Sequence, residues 1–129
     1  MSPLDARKRD LVKCEDMRIH AERARQFIGA MSLEEFGSNE LVQDAVIRCV
    51  EVIGEAARQV SEATRDDSPA VPWAQIVGMR NLLVHDYGGV DLDQVYRVAT
   101  ESVPELLGHI RTLIARLEKE TGWLGGGES

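Results

Sequence analysis

From Leu92 to Leu117 the apolar residues Leu92, Val95, Ala99, Val103, Leu106, Ile110, Leu113 and Leu117 follow one another in steps of three and four. A strand turns alternate residues to opposite faces and would strand half of them in water. An α-helix brings them all to one stripe. The same spacing recurs in Leu4, Leu11, Cys14, Ile19, Ala21, Ala24 and Ile28, and in Val42, Ala45, Val46, Cys49, Val50, Ile53, Ala57 and Val60. Three amphipathic helices of this length can bury their stripes only against each other, so the chain reads as all-α.

Local signals set the boundaries. Ser2-Pro3-Leu4-Asp5 offers a cap, a proline at the first helical position and an acid in the first turn, so helix 1 starts there and ends near Gly29. Ser32-Leu33-Glu34-Glu35 is a capping box for a short turn closed by Gly37. Helix 2 follows from Ser38 or Asn39 and fades by Arg65, ahead of the turn cluster Asp66-Asp67-Ser68-Pro69. Pro72 opens helix 3. Asp91 and Gln94, with Val90 and Val95 as a staple pair, open helix 4, and Pro104 bends it because no N–H is left for the carbonyl of Thr100. The expected architecture is an up-and-down bundle of four to five helices with a kinked C-terminal helix. Residues 1–121 form one domain and 122–129 a loose tail.

Charge and cysteines narrow the classes. The net charge is −7, so long-range attraction of nucleic acid is not supplied by the chain as a whole. Residues 1–30 carry seven Lys/Arg against five Asp/Glu and are the basic exception. Within them Arg7-Lys8-Arg9 with Lys13 reads as a solvated helix face, or else as a contact for RNA or an acidic partner. Cys14 and Cys49 stand alone within helical patterns and read as reduced core thiols, which favours the cytoplasm. No leader-like start and no apolar run near the roughly 18 residues of a bilayer span occurs, so no membrane role is expected. His20 and His109 lack neighbours at metal-ligand spacing, and no metal or cofactor is expected. Aromatic residues, at 5%, are too few for a base-stacking platform.

Helix 3 holds an anomaly. Trp73, Ala74, Ile76, Val77, Met79, Leu82, Leu83 and Val84 cover nearly its whole circumference, which predicts a central, buried helix. Yet Arg80, Asn81, His85 and Tyr87 lie within one and a half turns of it, and unpaired polar groups are costly to bury. Asn81 and His85 are four apart and stack on one face. Gly88-Gly89 ends the helix with His85 in its last turn, where the dipole favours the imidazolium and Arg80 opposes it. A histidine poised between its forms can move protons, and an arginine fork matches phosphate oxygens. The ordinary alternative is an intramolecular pair of Arg80 with Glu51 or Glu55.

Arg80-Asn81-Leu82-Leu83-Val84-His85-Asp86-Tyr87 resembles the Arg-x4-His-x-Tyr signature of the HEPN superfamily, specifically HepT-like ribonuclease toxins of the HEPN/MNT toxin–antitoxin type. "QDAVIRCVEVIGEAA" (43–57), "VPWAQIVGMRNLLVHDYGGVDLDQVY" (71–96) and "VPELL" (103–107) extend the likeness along the chain. The resemblance implies a homodimer with the motifs facing a shared cleft, and metal-independent RNA cleavage. Arg80, Asn81 and His85 would be catalytic, with a second His85 supplied by the other subunit. It further implies that a cognate MNT-type nucleotidyltransferase antitoxin neutralises the toxin by AMPylation of Tyr87. Cys49 stands where many relatives carry asparagine, which argues against a catalytic role for that position. The alternative is a non-catalytic module that binds a nucleotide or docks the nucleotidyltransferase.

Overall fold

The computed structural model describes residues 2–82 and 89–124, apart from the side chains of Arg80 and Leu82. Its α-helices are α1 (Pro3–Ile28), α2 (Leu33–Gly37), α3 (Glu40–Arg58), α4 (Glu62–Asp66), α5 (Trp73–Leu82), α6 (Leu92–Arg97) and α7 (Val103–Thr121). A π-helical turn over Val98–Ser102 joins α6 to α7. No strand occurs among the described residues.

The caps act where the sequence places them. Ser2 Oγ accepts from the Asp5 N–H at 3.1 Å, and α1 ends at Gly29, whose φ of 50° a side chain rarely tolerates. Around α2 both bonds of the capping box form: Glu35 N–H donates to Ser32 Oγ at 3.1 Å and Ser32 N–H to Glu35 Oε1 at 2.8 Å. Asn39 caps α3 and Asp91 caps α6.

The core lies around α1. Leu11, Cys14, Met17, Ala21, Ala24 and Ile28 make a seam that is buried throughout, packed against α3 on one side and α7 on the other. Leu4, expected in this seam, is instead exposed in the first turn, before α1 reaches its neighbours. The central place expected for helix 3 therefore belongs to α1. α5 lies against α3 and buries Trp73, Ile76 and Met79, while Ala74, Gln75 and Asn81 are exposed. Ala74 is small, so leaving it in water forfeits little apolar area, and a full apolar wheel did not require burial all round.

Helix 2 of the sequence reading is two helices, and the break between them is tertiary. Asp10 on α1, only 2% exposed, accepts from Ser61 N–H at 2.8 Å, from Ser61 Oγ at 2.6 Å and from the Thr64 hydroxyl. Ser61 also caps α4, so the chain stops at Arg58 and restarts at Glu62 instead of fading near Arg65.

Pro104 takes effect one turn upstream. The Val103 N–H donates to the carbonyl of Val98, five residues back, and the π turn absorbs the register shift before the proline.

Candidate functional site

The motif helix is anchored at its start. Arg116 on α7 donates from Nη1 to the Asp67 carbonyl at 2.8 Å and from Nη2 to Ser68 Oγ at 2.6 Å. Trp73 Nε1 donates to the Ser68 carbonyl at 3.1 Å, and its ring is buried. These bonds tie the loop before α5 to α7 and fix the direction in which α5 leaves it. α5 then carries Arg80 and the exposed Asn81.

Beyond the motif the chain is fixed again. Asp91 Oδ1 accepts from the Gln94 N–H at 3.2 Å and starts α6. Tyr96 donates its hydroxyl to the Met31 carbonyl at 2.7 Å and packs its ring on Phe36 at 5.7 Å. Phe36 is itself held because the buried Gln43 amide donates to its carbonyl at 2.9 Å. The helices on either side of the motif, α5 and α6, are thus both tied to the rest of the fold.

Of the four expected site residues, Arg80 and Asn81 lie on α5, the second of them open to solvent. His85 and Tyr87 lie outside the described residues, as does the convergence expected of all four. Of the carboxylates considered for Arg80, Glu51 is exposed and Glu55 pairs with Arg58 on its own helix. Cys49 is buried in the α3 seam, where burial pushes its thiol above the ordinary range. It is core, as its departure from asparagine suggested.

A cavity of about 200 Å³ lies next to the motif helix, between α5 and the path from α6 through the π turn to α7. Ile76, Met79 and Leu106 give it an apolar floor, and Gln75, Gln94 and Arg97 bring polar groups to it. Sequence spacing could not show it, since its walls come from segments some twenty residues apart.

The basic N-terminal stretch is partly committed to the fold. Arg7 donates to Thr64 Oγ1 at 2.6 Å and to Asp67 Oδ2 at 2.7 Å. His20 bonds the Asp16 carbonyl on its own helix at 2.9 Å. Among the described residues no group of three or more His, Cys, Asp or Glu could hold a metal ion. No described helix is long and apolar enough to cross a membrane.

A family model described as ribonuclease HepT-like matches residues 17–113, a span that contains α5, the whole motif and the π turn. The chain belongs to the HepT-like ribonuclease family. Its relatives include a protein of Methanocaldococcus jannaschii named as a candidate RNase, 38% identical over 94 residues, which are 73% of this chain and 81% of that one. Another, from Thermococcus cleftensis, is named "Probable ribonuclease HepT" and is 32% identical over 99 residues, or 77% of this chain and 90% of its own length. No solved structure gives a significant match. The matched span begins after Arg7, Lys8, Arg9 and Lys13, within α1.

Proposed function

We propose that this chain is a metal-independent endoribonuclease and the toxin of a HEPN/MNT-type, type VII-like toxin–antitoxin pair, working as a homodimer. The observation that carries the reading is the family match across residues 17–113 with an intact Arg80-x4-His85-x-Tyr87 motif inside it. The solvent-facing Asn81 on an anchored α5 supports it as well.

The chemistry assigned to the motif is transfer within RNA. The ribose 2′-oxygen attacks the adjacent phosphorus, the bond from phosphorus to the 5′-oxygen breaks, and a 2′,3′-cyclic phosphate and a 5′-hydroxyl result. One proton leaves the 2′-hydroxyl and one is delivered to the departing oxygen. His85 takes one of these roles, and the partner subunit's copy of the same histidine takes the other. Arg80 stabilises the charge that builds on the phosphorane oxygens, and Asn81 orients the phosphate or His85. AMPylation of Tyr87 by a cognate nucleotidyltransferase places bulk and negative charge two residues from His85 and excludes the RNA phosphate.

RNA cleavage in the presence of a chelator, with the purified protein and its His85→Ala and Arg80→Ala variants, tests the assignment. Loss of one proton-transfer group should cost about 10²–10⁴-fold in rate. Retained cleavage in a folded His85→Ala protein would sink the ribonuclease reading. Intact mass after co-production with a cognate MNT-type nucleotidyltransferase tests the modification. An AMP-sized increment on Tyr87, with cleavage confined to the unmodified form, is the expected pair of results.

One observation favours a second reading, a non-catalytic module that binds a nucleotide or docks the nucleotidyltransferase: the charge of −7 opposes tight RNA binding. Growth arrest on expression without the partner separates the two, because only the nuclease should cause it.

A further inference from the structure

A second groove, of about 580 Å³, lies between the C-terminal half of α1 and the stretch from the π turn into α7. Ile28, Ala99 and Leu107 are buried beneath it, and Glu22, Arg25 and Arg111 stand around it. Glu22 is fully engaged: Arg18 Nη1 donates to its Oε1 at 2.9 Å and Arg111 Nη2 to its Oε2 at 3.0 Å. Burial works to raise the Glu22 carboxyl, but the Arg111 and Arg18 bonds outweigh it and hold it below the usual range. Arg25, three residues on along the same face, makes no ion pair or side-chain hydrogen bond among the described residues. Two guanidinium groups against one saturated carboxylate leave the groove positive in a chain that is acidic overall.

The π turn adds an acceptor. Pro104 has no N–H, so the carbonyl of Thr100 loses its α-helical donor, and Thr100 and Pro104 both line the groove. Among the described residues the site thus offers charged forks for an anion beside a carbonyl whose α-helical donor the proline removes, and its lining carries no aromatic ring. A ribose–phosphate backbone carries both complements, an anionic phosphate and a 2′-hydroxyl.

We infer that this groove is a secondary subsite for the sugar–phosphate backbone of single-stranded RNA, Arg25 and Arg111 taking a phosphate and the Thr100 carbonyl a ribose hydroxyl. The inference rests on the reading of RNA as the substrate. It gives an acidic protein a local means of holding RNA without sequence preference.

Binding is measured by fluorescence anisotropy of a labelled oligouridylate in chelator between 50 and 200 mM salt. His85→Ala protein serves as the reference, so that the probe stays intact. Adding Arg25→Ala and Arg111→Ala should weaken binding roughly tenfold and flatten the slope of log affinity against log salt by about 0.7, the value for one phosphate on a single strand. Pro104→Ala supplies the N–H that an α-helical register pairs with the Thr100 carbonyl, and should move the preference for RNA over the matching oligodeoxyuridylate towards parity. Unchanged affinity and slope in the arginine variant, no RNA binding by the reference, or tighter binding of poly-glutamate than of RNA would each overturn the inference. Cleavage assays separate it from the ribonuclease reading. Wild-type rates at all RNA concentrations in the Arg25/Arg111 variant would remove the groove and leave the nuclease, whereas a slope difference without any cleavage would do the reverse.

Discussion

Replacing Asp10 with alanine tests how the break between α3 and α4 is held. The carboxylate is buried on α1 and accepts from the Ser61 N–H, the Ser61 hydroxyl and the Thr64 hydroxyl, more than fifty residues away. Each bond to a charged acceptor contributes about 1.5–3 kcal/mol, so a simple sum approaches about 5–9 kcal/mol. That sum is too large. Ser61 is half-exposed and can rehydrate, and the Thr64 hydroxyl keeps its bond from Arg7. A loss of about 3–5 kcal/mol is therefore expected, with most of it due to buried donors left unsatisfied. Against a domain's total of about 5–15 kcal/mol this is severe, and it corresponds to a fall in Tm of roughly 10–20 °C. Asp10→Asn keeps the shape and one carbonyl acceptor and should lose only about 1–2 kcal/mol. Urea unfolding followed by circular dichroism at 222 nm gives both values. A loss below about 1 kcal/mol in Asp10→Ala, or equal losses in the two variants, would refute the view that this carboxylate holds the break.

Two further outcomes follow from the titrating groups. Burial, with Asp10 and Glu15 adding to it, pushes the Cys14 thiol up to about 12, and Cys49 is raised too. A thiol reagent at pH 8 should react with neither cysteine until the protein unfolds, and rapid reaction of the native protein would contradict their place in the core. Glu35 is held below the ordinary carboxylate range by the Ser32 N–H and hydroxyl, and Glu22 by its two arginines against the opposing effect of burial. The unfolded chain takes up these protons first, so their stabilisation is complete above about pH 4.3 and lost as pH falls through the lower native values. Urea midpoints at pH 6 and pH 3 should therefore differ less in the Glu22→Gln/Glu35→Gln protein than in the wild type; an unchanged difference would show that neither group is responsible.

The legible parts of the fold are those written within a few neighbouring residues. Ser2, Ser32, Asn39 and Asp91 each cap a helix by bonding an N–H three residues on, an interaction that short spacing alone specifies. The disturbance before Pro104 follows equally from chemistry, because a missing N–H must unsettle the turn ahead of it wherever the helix lies. The position of α5 was not legible in the same way. Its apolar wheel is almost full, but a wheel records only what a helix could bury. Which sides are covered depends on where α3 ends and how Arg116 fixes the loop before Trp73. The motif was found by its residue types and their spacing. The groove of Arg25 and Arg111 was not, since Glu22 meets Arg111 across 89 residues of chain.

By itself the sequence determined the all-helical class, most helix starts, the burial of both cysteines and the family motif from Arg80 to Tyr87. Periodicity, caps and residue chemistry act over a few ångströms along one chain, and so they survive in a linear string. Only the tertiary structure decided that α1 is the centre, that Asp10 divides α3 from α4, and that a positive groove opens beside the π turn. Those outcomes depend on which distant surfaces meet, and burial and electrostatics take their values from that meeting.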